Sequence, residues 1–155
     1  MKISTPFDSA HQEAYLNLWR TYDRLRAIED ELFAQWDLTA QQYNVLRLLQ
    51  VSGDEPVATL TLAGRLISRA PDITRMIDRL EQRGWITRER SQTDRRAVMV
   101  SITNAGLDVV QGIAEPLRQC HERQFGHLND LELETLTDLL RRARLPHEPT
   151  DGRWA

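Results

Sequence analysis

The stretch from Thr59 to Thr103 constrains this chain more than any other. Short apolar-periodic runs at Thr59–Ile67 and Pro71–Arg83 read as two helices separated by a three-residue turn. A strand pair follows, Ile86–Arg90 against Ala97–Ile102, across the polar tip Ser91-Gln92-Thr93-Asp94-Arg95-Arg96. Two helices at such a turn form a helix-turn-helix, whose second helix fits the major groove of duplex DNA. A basic hairpin beside it can reach phosphates and the neighbouring minor groove. The fold class expected is therefore mainly α, with a small two- or three-stranded antiparallel wing.

Charge distribution supports the same partner. Residues 59–96 hold nine arginines against five acidic residues, a local excess of +4 inside a chain whose total is −3. The remainder carries −7, and the field at the contact surface, not the total, governs binding of a polyanion. Arginine instead of lysine is weak support by itself, because Lys2 is the single lysine in the whole chain.

The flanks read as helices. From His11 to Gln35, apolar residues recur every three or four positions, including Tyr15, Leu18, Trp19 and Tyr22. A helix of that length spans ~37 Å. It overreaches a small domain, so part of its apolar stripe is expected to meet another chain. Thr39 with Gln42 is a capping box, opening a helix to about Val51. In the helix from Thr59, Leu60, Leu62, Ala63 and Leu66 are expected inside. Pro71 suits the first position of the second helix and Asp72 suits its dipole. Gly84 is its left-handed terminator. Thr103 caps a helix to Phe125, which Pro116 should kink or break. Asn129 with Glu132 opens a last helix to Leu145, with Leu133, Leu136, Leu139 and Leu140 inward.

At this length the chain is expected to be one domain, residues 1–155. Its DNA-binding lobe is expected at 39–103, with dimerisation helices at 11–36 and 104–145. No apolar run approaches the roughly 20 residues that span a bilayer, and the N-terminus lacks the apolar core of a signal peptide. A cytosolic protein is the expectation. One cysteine excludes an intrachain disulfide. His11, His121, His127 and His147 show no closed metal spacing, so neither metal nor cofactor is expected. No nucleophile–base pair, phosphate loop or carboxylate dyad points to an enzyme.

The run DITRMIDRLEQRGWITRERSQTDRRAVMVSITNAG, residues 72–106, resembles the MarR family of winged-helix transcription regulators. The likeness extends over roughly residues 11–145. Thr74-Arg75, Arg79-Leu80, Gly84, the Asp94-x-Arg96 tip and Gly106 carry it. The resemblance implies a homodimer built from the first and last helices, a palindromic operator, and repression released by a small ligand. Relatives commonly place Ser or Thr before the proline. Here Ala70 takes that slot and cannot cap, which leaves Ser68 as an alternative cap.

Residue roles follow. On the second helix, Arg75 is suited to bidentate contact with guanine, and Thr74 to a thymine methyl or a phosphate. Arg79 shares that outward face, and Arg69, Pro71 and Asp72 lie at its entrance. Arg96 is suited to a narrow A·T minor groove, with Asp94 orienting a wing guanidinium. Arg88, Arg90 and Arg95 are expected on phosphates. Trp19, Tyr22 and Tyr43, with Arg47 as counter-ion, are candidates for an aromatic or phenolic effector, although ordinary packing is the plainer reading of the three aromatics. Cys120 reads as a buried thiol rather than a redox sensor. The main rival function is a winged-helix module acting through an acidic protein partner.

Overall fold

The computed structural model describes residues 6–70 and 72–149. Six helices and three strands follow in order: α1 Ala10–Ala34, α2 Ala40–Ser52, β1 Val57–Ala58, α3 Thr59–Arg65, α4 Ile73–Gln82, β2 Ile86–Arg90, β3 Val98–Ile102, α5 Asn104–Phe125 and α6 Asp130–Arg144. The sheet runs β1-β3-β2, antiparallel throughout. Its third strand comes from Val57-Ala58, which pairs with Val100 and Met99.

Local chemistry sets most boundaries. Both capping boxes form: Thr39 with Gln42, and Asn129 with Glu132. Gly84, at φ +74°, ends α4 in a Schellman arrangement. Its N–H donates to the carbonyl of Glu81 at 2.8 Å, and that of Trp85 to Leu80 at 3.1 Å. This turn folds β2 back along α4. Asp37, at φ +51°, closes α1 the same way without being a glycine.

One core unites the lobe. Val45, Leu46 and Leu49 of α2 pack with Leu62, Leu66, Ile77, Leu80, Ile86 and Val100, and with Phe33 of α1 and Ile113 of α5. Each such side chain stabilises the fold by about 1.5–3 kcal/mol on burial. Leu60 departs from expectation and stands 85% exposed. It lies two residues from Leu62, hence on the opposite side of a helix turning 100° per residue.

The C-terminal half adds a correction in α6. Pro116 marks no break, since α5 runs through it. No residue of α6 is buried, and Leu139, expected inward, is 54% exposed. Leu133 and Leu136 are half-buried and Leu140 is exposed. Among the described residues none covers this face fully. The outer part of α1 is bare in the same way: Trp19 is 61% and Tyr22 59% exposed, as the length argument required.

The start of α5 locks onto the end of α4. Thr103 accepts from the Gly106 N–H, its hydroxyl donates to the Gly84 carbonyl at 2.7 Å, and its N–H donates to the Trp85 carbonyl. A Cβ on Gly106 would sit 2.2 Å from that Trp85 oxygen. Gly106→Ala should therefore cost about 1–3 kcal/mol, read as a lower urea midpoint. An unchanged midpoint would show that the Trp85 backbone yields freely.

Candidate nucleic-acid interface

Helix α4 begins two residues later than its sequence indicates, because Asp72 is the cap itself. Its carboxylate accepts from the Arg75 N–H at 3.3 Å and also pairs with the Arg75 Nε at 3.4 Å. Asp72 thus serves the helix instead of standing free for DNA. Ser68, the alternative cap, instead accepts from Gln41 Nε2 at 3.0 Å. Gln41 also donates to the Arg69 carbonyl, and Asn44 accepts from the Ile67 N–H, so α2 pins the turn between the two helices. Pro71 lies outside the described residues.

Met76, Ile77 and Leu80 face the core, which leaves Thr74, Arg75 and Arg79 in solvent. The Arg75–Asp72 pair is highly exposed. Such pairs contribute about 0–1 kcal/mol, so Arg75 can leave Asp72 for a better-placed anion at little cost.

The wing tip is a hydrogen-bonded turn. The Ser91 hydroxyl oxygen accepts from the N–H groups of Thr93 and Asp94. The Asp94 carbonyl accepts from Ala97 N–H at 2.9 Å, and its carboxylate accepts from the backbone N–H of Arg96 at 3.0 Å. Asp94 therefore orients backbone and not a guanidinium, because the amide two residues on is the donor an Asx turn reaches first. Arg95 and Arg96 are left on the outside of that turn.

Arg88, expected on phosphate, is ion-paired within the chain. Its Nη1 lies 2.6 Å from Asp78, and its Nε donates to Glu81 at 2.9 Å. By contrast, Arg65, Arg69, Arg79, Arg90, Arg95 and Arg96 are exposed and take no ion-pair partner among the described residues. Wing and helix meet at a cleft of about 170 Å³ between α3, α4 and the hairpin, lined by Leu60, Thr74, Ile77, Arg88, Arg96 and Val98. The fold thus brings Thr74 and Arg96, 22 positions apart in the chain, to one place.

Residues 38–98 match the family model of the MarR family. A MarR transcription factor from Planctomyces limnophilus, known as a crystal structure, is 55% identical, covering 90% of this chain and 98% of its own at a TM-score of 0.70. The uncharacterised HTH-type transcriptional regulator YpoP of Bacillus subtilis is 35% identical over 103 residues, 66% of this chain and 72% of its own length. The chain belongs to the MarR family. Another solved structure, Bordetella bronchiseptica BpsR, is 27% identical over 84% of this chain and 98% of its own, at a TM-score of 0.76; its DNA binding is regulated by 6-hydroxynicotinic acid. These relatives of the MarR chain are transcriptional regulators, not enzymes.

The four effector candidates are only partly brought together. Tyr43 packs on Phe33 with ring centroids 5.1 Å apart. Burial raises its phenol pKa above 10.0, with Arg47 opposing and Glu29 adding to the rise. Arg47, one turn further along α2, hydrogen-bonds the Gln50 side chain. Trp19 and Tyr22 stand on the bare side of α1, with Trp19 6.2 Å from the Tyr15 ring. Neither Trp19, Tyr22, Tyr43 nor Arg47 lines the cleft beside α4. Cys120 is buried, and burial pushes its thiol pKa up, as does Glu29; Arg123 opposes them. That is the environment of an inert thiol.

Sequence reading missed one contact of this MarR lobe. Arg83, counted with the basic surface, bonds the Asp37 carbonyl and carboxylate and lies 3.7 Å over the Trp85 ring. Its charge ties α4 to the end of α1. The helix break at Asp37-Leu38-Thr39 was the one sequence signal near it, and it does not name a partner.

Among the described residues, no helix is long and apolar enough to cross a membrane.

Proposed function

We propose that this MarR-family chain is a homodimeric, sequence-specific DNA-binding transcription regulator, a repressor released by a small aromatic or phenolic ligand. The observation that carries this reading is the distribution of unpaired guanidiniums. Arg79, Arg90, Arg95 and Arg96 sit on the recognition helix and its wing with no acidic partner among the described residues, while Arg83 and Arg88 are held internally. A polyanion that spans helix and hairpin together satisfies them. In this reading residues 39–103 form the DNA-binding lobe. Residues 11–36 and 104–145 pair two chains, covering the bare faces of α1 and α6. Arg75 reads a base, Thr74 supports it, Arg96 enters the minor groove, and Arg69, Arg90 and Arg95 hold phosphates.

Release by an aromatic acid draws support from BpsR, whose DNA binding responds to one. In this reading Trp19, Tyr22 and Tyr43 offer ring faces to the effector and Arg47 offers a counter-charge.

Selection from random-sequence DNA tests the reading. Two inverted half-sites about 10 base pairs apart are expected, with affinity falling steeply as salt rises. Failure to select any duplex at low ionic strength sinks it, and a salt-resistant complex with an acidic protein would favour the protein-binding alternative. Within the selected site, Arg75→Ala should relax preference at one position per half-site and cost about 1–3 kcal/mol there. An unaltered preference would move base reading to another residue.

A further inference from the structure

Helix α4 poses an electrostatic puzzle if it approaches DNA, the reading on which this inference rests. It carries Asp78 and Glu81, two carboxylates that a polyanion repels. Glu81 also lies in the last turn, where the helix dipole disfavours an anion. Neither residue belongs to the apolar face. Both are turned toward the wing, where Arg88 meets them: Nη1 lies 2.6 Å from Asp78 Oδ1, while Nε, at 2.9 Å, and Nη2 share Glu81 Oε2. Asp78 and Glu81 are three apart, so they form one edge of the helix.

The backbone that carries Arg88 is rigid. It lies in the middle of β2, opposite Val100, which is fully buried. The Arg88 side chain is itself only 30% exposed. A guanidinium forked between two carboxylates belongs to a cluster that is net negative, so the cluster offers a phosphate no attraction. What it supplies is orientation, since its planar fork matches two fixed acceptors at once. Arg88 also lines the cleft that holds both Thr74 and Arg96. Any change in the angle between hairpin and helix shifts those two groups relative to each other.

We propose that Arg88 is a positioning residue: bridged to Asp78 and Glu81, it straps the wing to the recognition helix and sets how Arg96 stands relative to Thr74 and Arg75. It makes no phosphate contact. The two acids are present to hold this strap, and the strap offsets part of their negative charge where DNA approaches.

Three variants test the proposal on the duplex that the wild-type protein selects: Arg88→Ala, Arg88→Lys, and the exchange Arg88→Glu with Glu81→Arg. Arg88→Ala should weaken binding about tenfold, with the salt dependence of binding unchanged in slope. Lysine, a point charge without a fork, should recover little. The exchanged pair rebuilds an alternating set of charges and should restore most of the affinity. In the DNA-free protein, amide exchange across residues 88–98 should speed up in Arg88→Ala and slow again in the exchanged pair. A phosphate contact predicts the opposite pattern. The salt slope would become shallower by about 0.9 per subunit, lysine would bind nearly as well as arginine, glutamate at 88 would abolish binding, and amide exchange would stay as in wild type. That set of results overturns the strap. If wild-type protein binds no duplex, the DNA reading fails, and the exchange measurements alone still decide whether Arg88 holds the wing.

Discussion

Removal of residues 129–155 should give a monomer whose affinity for the two-half-site duplex is lower by about 10²–10⁴-fold. The expectation rests on exposure. α6 contributes nothing to the buried core of its own chain, while Leu139 and Leu140 on it, and Trp19 and Tyr22 on α1, are left in water. Apolar area of that kind is worth about 25 cal/mol per Å² when covered, and a second copy of the same faces is the cover proposed. Two linked lobes bind two half-sites with the second contact made intramolecularly, so separating them removes avidity without touching any residue at the DNA. Sedimentation analysis reports the mass, and titration with whole and half sites reports the affinity. Half-site affinity should be nearly unaffected, because the lobe's core of α2, α3, α4 and the sheet is intact. A truncated chain that still sediments as a dimer and still prefers the whole site would place the interface elsewhere.

Arg96→Ala should remove most of the affinity for the selected duplex, on the order of 1–3 kcal/mol per subunit, while leaving the thermal melt where it was. The second half of that expectation comes from the geometry of the tip. The turn is held by backbone groups, by the Ser91 hydroxyl and by the Asp94 carboxylate, which takes the Arg96 N–H and not its side chain. Alanine keeps that N–H. The guanidinium has no acidic partner among the described residues to lose. The loss should be largest on duplexes with A·T pairs beside the half-site, where a narrow minor groove has its strongest negative potential. A large fall in melting temperature would assign Arg96 a structural role instead.

Features written in short-range chemistry were legible along the chain. The two capping boxes, the Gly84 terminator and the inward stripe of α4 each depend on residues within about one helical turn of one another, the hairpin on two strands joined by a short tip, and all are found. The bare stripe of α1 followed from a length set against a domain width. Misreadings arose where a side chain's partner lies elsewhere in the fold. Asp94 was expected on a guanidinium and takes an amide. Arg88 was expected on phosphate and takes Asp78 and Glu81. Leu60 was expected inside and lies on the side of α3 opposite the buried Leu62. Asp72 is the instructive case: its role is local, yet it was assigned two positions off because the cap was sought at Ser68 or Ala70, before the proline, and not after it.

The chain's own periodicities, caps and glycines decided that it would build a helix-turn-helix with a basic hairpin, because backbone hydrogen bonding and burial act over one helical turn or one strand pair. Which of its nine clustered arginines remain available was decided only when the Schellman turn at Gly84 laid β2 along α4 and brought Arg88 to two acids and Arg83 over to Asp37. A charge counts toward a surface field only if folding leaves it unpaired, and pairing is a property of three-dimensional proximity that no count along the sequence contains.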